Sequence, residues 1–130
     1  MAGESLTRTR RYHLGEDGIL WSISLPGAEE TLADAMENMC AARSLVNGRR
    51  YLVLADMRQL KSVEREARAY YARPESMALA AAILIRSPVE RTMVNFWLTL
   101  NKPRFPVRFF TSEAEAVAWL QGFTVAAQKL

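Results

Sequence analysis

The segment from Pro106 to Leu120 constrains the fold more than any other part of the chain. Val107-Arg108-Phe109-Phe110 is a short β-prone run, and Ser112-Glu113-Ala114-Glu115 is a Ser-x-x-Glu capping box opening directly onto an apolar-faced helix through Ala116, Trp119 and Leu120. A strand that turns at once into a helix is the corner of an α/β sheet. The corner carries no catalytic chemistry, so it speaks to architecture and not to activity.

Upstream, the chain punctuates itself in the same way. Arg10 to Leu14 and Ile19 to Leu25 are two strand candidates joined by the polar, glycine-bearing Gly15-Glu16-Asp17-Gly18, as a hairpin requires. In the second of them, Ile19, Trp21, Ile23 and Leu25 alternate with Leu20, Ser22 and Ser24, which predicts one apolar face. Pro26-Gly27 stops the strand. A helix is expected from Glu29 to about Val46, its apolar stripe made by Leu32, Ala35, Met36, Met39, Cys40 and Val46, and Asn47-Gly48 ends it. Tyr51 to Ala55 is a continuous apolar run of the kind buried on both faces of a sheet.

Ser62 is positioned to cap a helix from about Val63 to Ala72, with Glu64 and Arg68 four apart, and Pro74 closes it. Leu79 to Ile85 reads as a second buried strand. Ser87-Pro88 opens a further helix whose apolar positions, Val89, Met93, Phe96, Trp97 and Leu100, exceed the stripe that one sheet face needs. The expected order is β-β-α-β-α-β-α-β-α: a single-domain α/β fold with a mixed, mainly parallel sheet of about five strands and about four helices. Residues 1–9 are expected to be a flexible leader, 10–123 the domain, and 124–130 a C-terminal tail.

Within this order, Asp56 at a strand end, Ala81 to Pro88, the helix around Val94-Asn95-Phe96-Trp97, and Arg108-Phe109-Phe110-Thr111-Ser112-Glu113 with Ala116 and Trp119-Leu120 resemble small bacterial STAS-like proteins. These share the fold of the anti-sigma-factor antagonists and are distantly similar to CRAL-TRIO lipid-transfer domains. The resemblance covers roughly residues 10 to 123. It implies a helix-covered mixed sheet, frequent self-association and no catalytic centre. Antagonists of this fold carry a phosphorylatable serine in a turn at the start of a helix; Ala55-Asp56-Met57-Arg58 has no hydroxyl there. The antagonist-type switch is therefore not expected at that turn, and Ser62 is expected to act as a helix cap.

The remaining chemistry is sparse. Cys40 is the single cysteine, which excludes an intramolecular disulfide and, in its apolar helical pattern, is expected to be a buried structural thiol. His13 is the single histidine and has no triad partner or metal-ligand spacing around it. Neither a metal nor a cofactor is expected. The net charge of +3 comes from scattered arginines and lysines with no nucleic-acid-binding motif. Met1 to Arg11 lacks an apolar segment, and the apolar run Met77 to Ile85 falls short of the roughly 20 residues that span a bilayer. A soluble, cytoplasmic chain that contacts neither nucleic acid nor membrane is the expectation.

Ligands of open parallel sheets gather beyond the carboxyl ends of the strands. Asp56, Arg58, Ser62, Arg86 and Ser87 are the candidate ligand-binding residues on that ground, with the two arginines placed to hold an anionic group. Phe96 and Trp97 are the candidate anchors of a homodimer. Two functions stay open: a non-catalytic protein-interaction or regulatory module with a regulatory protein partner, or a carrier of a small apolar or anionic ligand. An enzyme ranks third.

Overall fold

A computed structural model of the chain describes residues 3–71, 78–87 and 105–128, with side chains as far as residue 123. The chain opens with β1 (Gly3–Leu6), β2 (Arg10–Leu14) and β3 (Ile19–Ser24), an antiparallel meander. The hairpin expected at Gly15 to Gly18 is there: the Gly15 N–H donates to the Ile19 carbonyl at 3.0 Å, and Gly18 takes a φ of 84°, open to glycine because it has no Cβ. Within the expected leader, residues 3–6 form a strand. Gly3–Leu6 forms the edge strand because β2 still has an unpaired side to hydrogen-bond, and Glu4 lies in register with His13.

The next segment corrects the expected helix start. Glu29–Glu30 is a short strand, β4, and α1 runs over Leu32–Val46. Thr31 is the cap: its hydroxyl accepts from the Asp34 N–H, while the Asp34 side chain accepts from the Thr31 N–H at 2.9 Å, a reciprocal capping box. Glu29 and Glu30, where the helix was expected to begin, therefore lie outside it. The C-terminal signal holds: Asn47 adopts left-handed φ 49°, and its N–H donates to the Arg43 carbonyl at 2.9 Å.

β5 (Tyr51–Asp56) follows, then the two-residue β6 (Ser62–Val63), which pairs in parallel with β4. α2 spans Arg65–Tyr71. Ser62 is thus a strand residue, exposed, and not the helix cap; the Glu64 carbonyl accepts the first bond of α2 from the Arg68 N–H at 3.0 Å. The expected Glu64–Arg68 side-chain pair gives way to a bond from Arg68 Nη1 to the Val63 carbonyl at 3.0 Å. β7 (Ala78–Leu84), β8 (Val107–Phe110) and α3 (Glu113–Gln128) complete the described elements. The corner read first behaves as expected, with Ser112 Oγ accepting from the Glu115 N–H at 3.3 Å. α3 continues through residues expected to be tail. The helix expected from Pro88 to Leu100 and the close at Pro74 lie outside the described residues.

The strands form one six-stranded sheet in the order β1-β2-β3-β5-β7-β8, antiparallel through β3 and parallel beyond it. This is a mixed α/β domain with three helices among the described residues; the sheet has one strand more than expected because β1 joins it. Alternation along the strands sends Ile19, Leu52, Leu54, Ala80, Ala82, Leu84 and Phe110 to one face, where Ala116 and Leu120 of α3 seal them. The other face carries Tyr12, Leu14, Leu20 and Tyr51 against Ala42 and Val46 of α1.

α1 is also rotated relative to the expected stripe. Its buried residues are Asp34, Ala35, Asn38, Ala42 and Val46, whereas Leu32 and Met36 are 39% and 49% exposed and Cys40 is exposed. Cys40 is therefore not a buried structural thiol. The rotation has a polar cause, which lies in the site.

Candidate functional site

Ser22 and Ser24 look like the solvent side of β3 in the sequence, yet they are 3% and 2% exposed. The hairpin register sets Arg10 opposite Ser24 and Tyr12 opposite Ser22, so one face of β2 and β3 presents a polar stripe. α1 brings Asn38 to that side, and β4 lays Glu30 across the stripe. The result is a buried polar cluster built from five separate segments.

Arg10 and Glu30 form its centre. Nε and Nη2 of Arg10 donate to Oε2 and Oε1 of Glu30, each at 2.7 Å, a bidentate fork. Nη1 of Arg10 donates to Ser22 Oγ at 2.9 Å, and its guanidinium carbon lies 4.8 Å from the centre of the Tyr71 ring. Glu30 also accepts from Thr9 Oγ1 at 2.8 Å, Asn38 Nδ2 at 3.0 Å and the Tyr71 hydroxyl at 3.1 Å. Asn38 Nδ2 reaches Thr9 Oγ1 at 3.0 Å and the Tyr71 oxygen at 2.8 Å, while Asn38 Oδ1 accepts from Thr7.

Every charge in the cluster has a partner, and the acid–base shifts follow. Burial pushes the Glu30 carboxyl up, but the Arg10 fork and the Thr9 and Tyr71 bonds hold it below the ordinary carboxylate range. Burial would release the Arg10 proton, and the same fork holds it on. Burial drives the Tyr71 phenol upward. At the rim, Arg8 closes on Asp34 through Nε to Oδ1 at 2.7 Å and a second bond from Nη2 to Oδ2, holding that carboxyl well below its usual range. The Arg10 and Glu30 charges are spent on protein partners, while the buried Ser24 hydroxyl on the same face has no hydrogen-bond partner, which makes the cluster a lock between segments and not an open substrate site.

The residues nominated from the sequence lie elsewhere, and Asp56 meets Arg58. Asp56 and Arg58, at the carboxyl end of β5, pair with each other: Arg58 Nε and Nη2 donate to the two Asp56 oxygens at 2.9 and 2.7 Å, and Arg58 also faces Glu113 at 3.5 Å. Asp56 is held low and Arg58 high by that contact. With two carboxylates around it, Arg58 is already neutralised. Ser62 sits on the β4–β6 ribbon, and Arg86 and Ser87 follow the end of β7, Arg86 being exposed. Phe96 and Trp97 lie outside the described residues. His13 stands exposed on β2, 3.6 Å from Glu4.

Sequence reasoning missed the buried cluster because its members look ordinary one by one. The usable signal was joint: polar positions at Arg10, Ser22 and Ser24 sharing one hairpin face, and Asn38 on the helix that covers it.

The fold is one already seen in solved structures. An uncharacterised protein of the DUF3478 family from Shewanella loihica PV-4, with a SpoIIAA-like fold, superposes with a TM-score of 0.59 at 14% identity, over 92% of each chain. The STAS-like architecture expected from the sequence is therefore present. A protein of unknown function from Arthrobacter sp. FB24 is 41% identical over 84% of this chain and 96% of its own, with a TM-score of 0.35. No curated protein matches the chain. Residues 12–124 match the profile described as domain of unknown function (DUF7793), and the chain belongs to that family.

Proposed function

We propose that the chain is a non-catalytic, STAS-like protein-interaction or regulatory module that assembles as a homodimer and engages a regulatory protein partner in the cytoplasm. The observation that carries the reading is the inward closure of its charged groups. Arg10 is spent on Glu30 and Ser22, and Arg58 on Asp56 and Glu113, so neither guanidinium offers a free fork to an anion. The outward surface instead carries apolar side chains, Leu6 at 70%, Met36 at 49% and Leu32 at 39% exposed. The anionic-ligand form of the carrier reading rested on Arg58 with Arg86, and the pairing of Arg58 with Asp56 and Glu113 gives it no support from that side chain. Neither nucleic acid nor membrane enters the proposal; among the described residues no helix is long and apolar enough to cross a bilayer.

Native mass spectrometry of freshly purified protein tests the reading. Twice the 14.7 kDa chain mass, with no added small molecule, is the expected species. A stoichiometric small-molecule mass on the chain would replace the module with a carrier, and a monomer would remove the dimer. From its native cells the protein should emerge with one protein partner at fixed stoichiometry, lost on Met36→Glu.

A further inference from the structure

We infer that the homodimer is made by the β1–β2–β3 half of the sheet, on the side where α3 packs against β5, β7 and β8. This assignment rests on the homodimer of the proposed function and adds the surface that forms it.

The pairing register fixes which side chains share that surface, because residues directly opposite on antiparallel strands point to the same face. Glu4 lies across from His13 and His13 from Trp21, while Leu6 lies across from Arg11 and Arg11 from Ile23. Trp21 packs against the core beneath α3, which sets the side. Two rows result, Glu4-His13-Trp21 and Leu6-Arg11-Ile23. The alternate residues of β2, Tyr12 and Leu14, point the other way and are buried with α1. The two rows are open by contrast. Leu6 is 70% exposed, the Glu4 and His13 side chains are 81% and 46% exposed, Arg11 is exposed, and Trp21 and Ile23 are half-buried.

The charges choose the occupant. Arg11 and Glu4 stand on neighbouring strands in different rows, one base and one acid on a single surface. A partner surface of one sign would meet one of them with like charge. A second copy related by a twofold axis carries the same pair reversed, so each Arg11 can face the other copy's Glu4, two equivalent contacts from one patch. His13, 3.6 Å from Glu4, lies in the same row. Leu6, Trp21 and Ile23 supply the apolar part, with Trp21 the kind of aromatic anchor that interfaces favour. The exposed Leu32 and Met36 belong to α1, on the other side of the sheet, and the dimer leaves them to the protein partner.

Light scattering over a concentration series of the full chain, with the 14.7 kDa chain mass as the unit, tests the surface. Arg11→Glu and Glu4→Arg each set like charges together and should raise the dimer dissociation constant at least about tenfold. Combined in one chain they restore the complement and should bring the constant back to within about threefold of the unmodified value. Met36→Glu should leave the dimer intact. A dimer indifferent to both single replacements, or one lost with Met36→Glu, places the contact elsewhere and overturns the inference while the homodimer stands. Single replacements that dissociate the dimer without rescue in the combined chain overturn the Arg11–Glu4 complement. An unmodified chain that is a monomer at every concentration removes the homodimer itself, and this surface with it.

Discussion

The two faces of the sheet solve the same burial problem with different materials. Under α3, the apolar side chains of Ile19, Leu54 and Leu84 meet Ala116 and Leu120, all fully buried. Under α1, next to Tyr12, Leu14 and Leu20, the chain buries Arg10, Glu30, Asn38 and Thr9, each at 5% exposure or less. The apolar face can tolerate small shifts, since dispersion and hydrophobic burial are non-directional. The polar face cannot, because a fork with both bonds at 2.7 Å exists in one arrangement of β2, β4 and α1. One face supplies stability, and the other fixes how the segments are keyed together.

Breaking the key should give the largest effect. Glu30→Ala leaves Arg10 buried without its counter-charge and is expected to cost about 3–5 kcal/mol in urea unfolding. The double replacement Arg10→Met with Glu30→Leu should recover most of that loss, because exchanging a buried pair for apolar groups is often neutral or better. Recovery would confirm that the pair contributes registration more than stability. A double variant as unstable as Glu30→Ala would show that the polar bonds themselves hold the face together.

On the apolar face, Leu120→Ala should cost about 3 kcal/mol through lost burial and the cavity left beneath α3. It should not loosen α2. If Leu120→Ala and Glu30→Ala prove equally disruptive to Tyr71, measured by hydrogen exchange in residues 66–71, the two faces are not independent.

Acid separates the faces without mutation. Glu30, Asp34 and Asp56 have folded-state carboxyls held below their ordinary values. Their contribution is therefore complete above the unfolded carboxylate range, about pH 4, and is lost as pH falls through the depressed folded values. Thermal unfolding should show stability level near neutrality and falling below about pH 4. The Arg10→Met, Glu30→Leu variant should show a shallower fall.

The smallest effects concern helix starts. Thr31→Ala removes the reciprocal cap of α1 and should cost about 1 kcal/mol. Ser62→Ala, on an exposed ribbon strand, should stay within about 0.5 kcal/mol. Equal losses at the two positions would return Ser62 to the capping role that the sequence suggested for it.

Much of the frame was legible because it rests on local rules. Arg10 to Leu14, Tyr51 to Ala55 and the Ser112 corner announce themselves through alternation, apolar runs and capping chemistry, each confined to a few neighbours. The misplaced features all involve partners far along the chain. Gly3–Leu6 became a strand because β2 offered it hydrogen bonds, and Glu29–Glu30 left the helix pattern because Ser62–Val63 paired with it. α1 turned Met36 and Cys40 outward because Asn38 had Glu30 to meet, eight residues back in sequence but on another element.

The sequence by itself determined an α/β domain, its hairpin, its buried central strands and the helix that closes it, since those follow from periodicity and turn chemistry within short windows. Tertiary structure alone decided that Arg10 and Glu30, Asn38 and Thr9, and Tyr71 would share one buried cluster. Hydrophobic alternation states which positions face inward but not what waits there, and a charge is worth burying only where the fold has already gathered its partners.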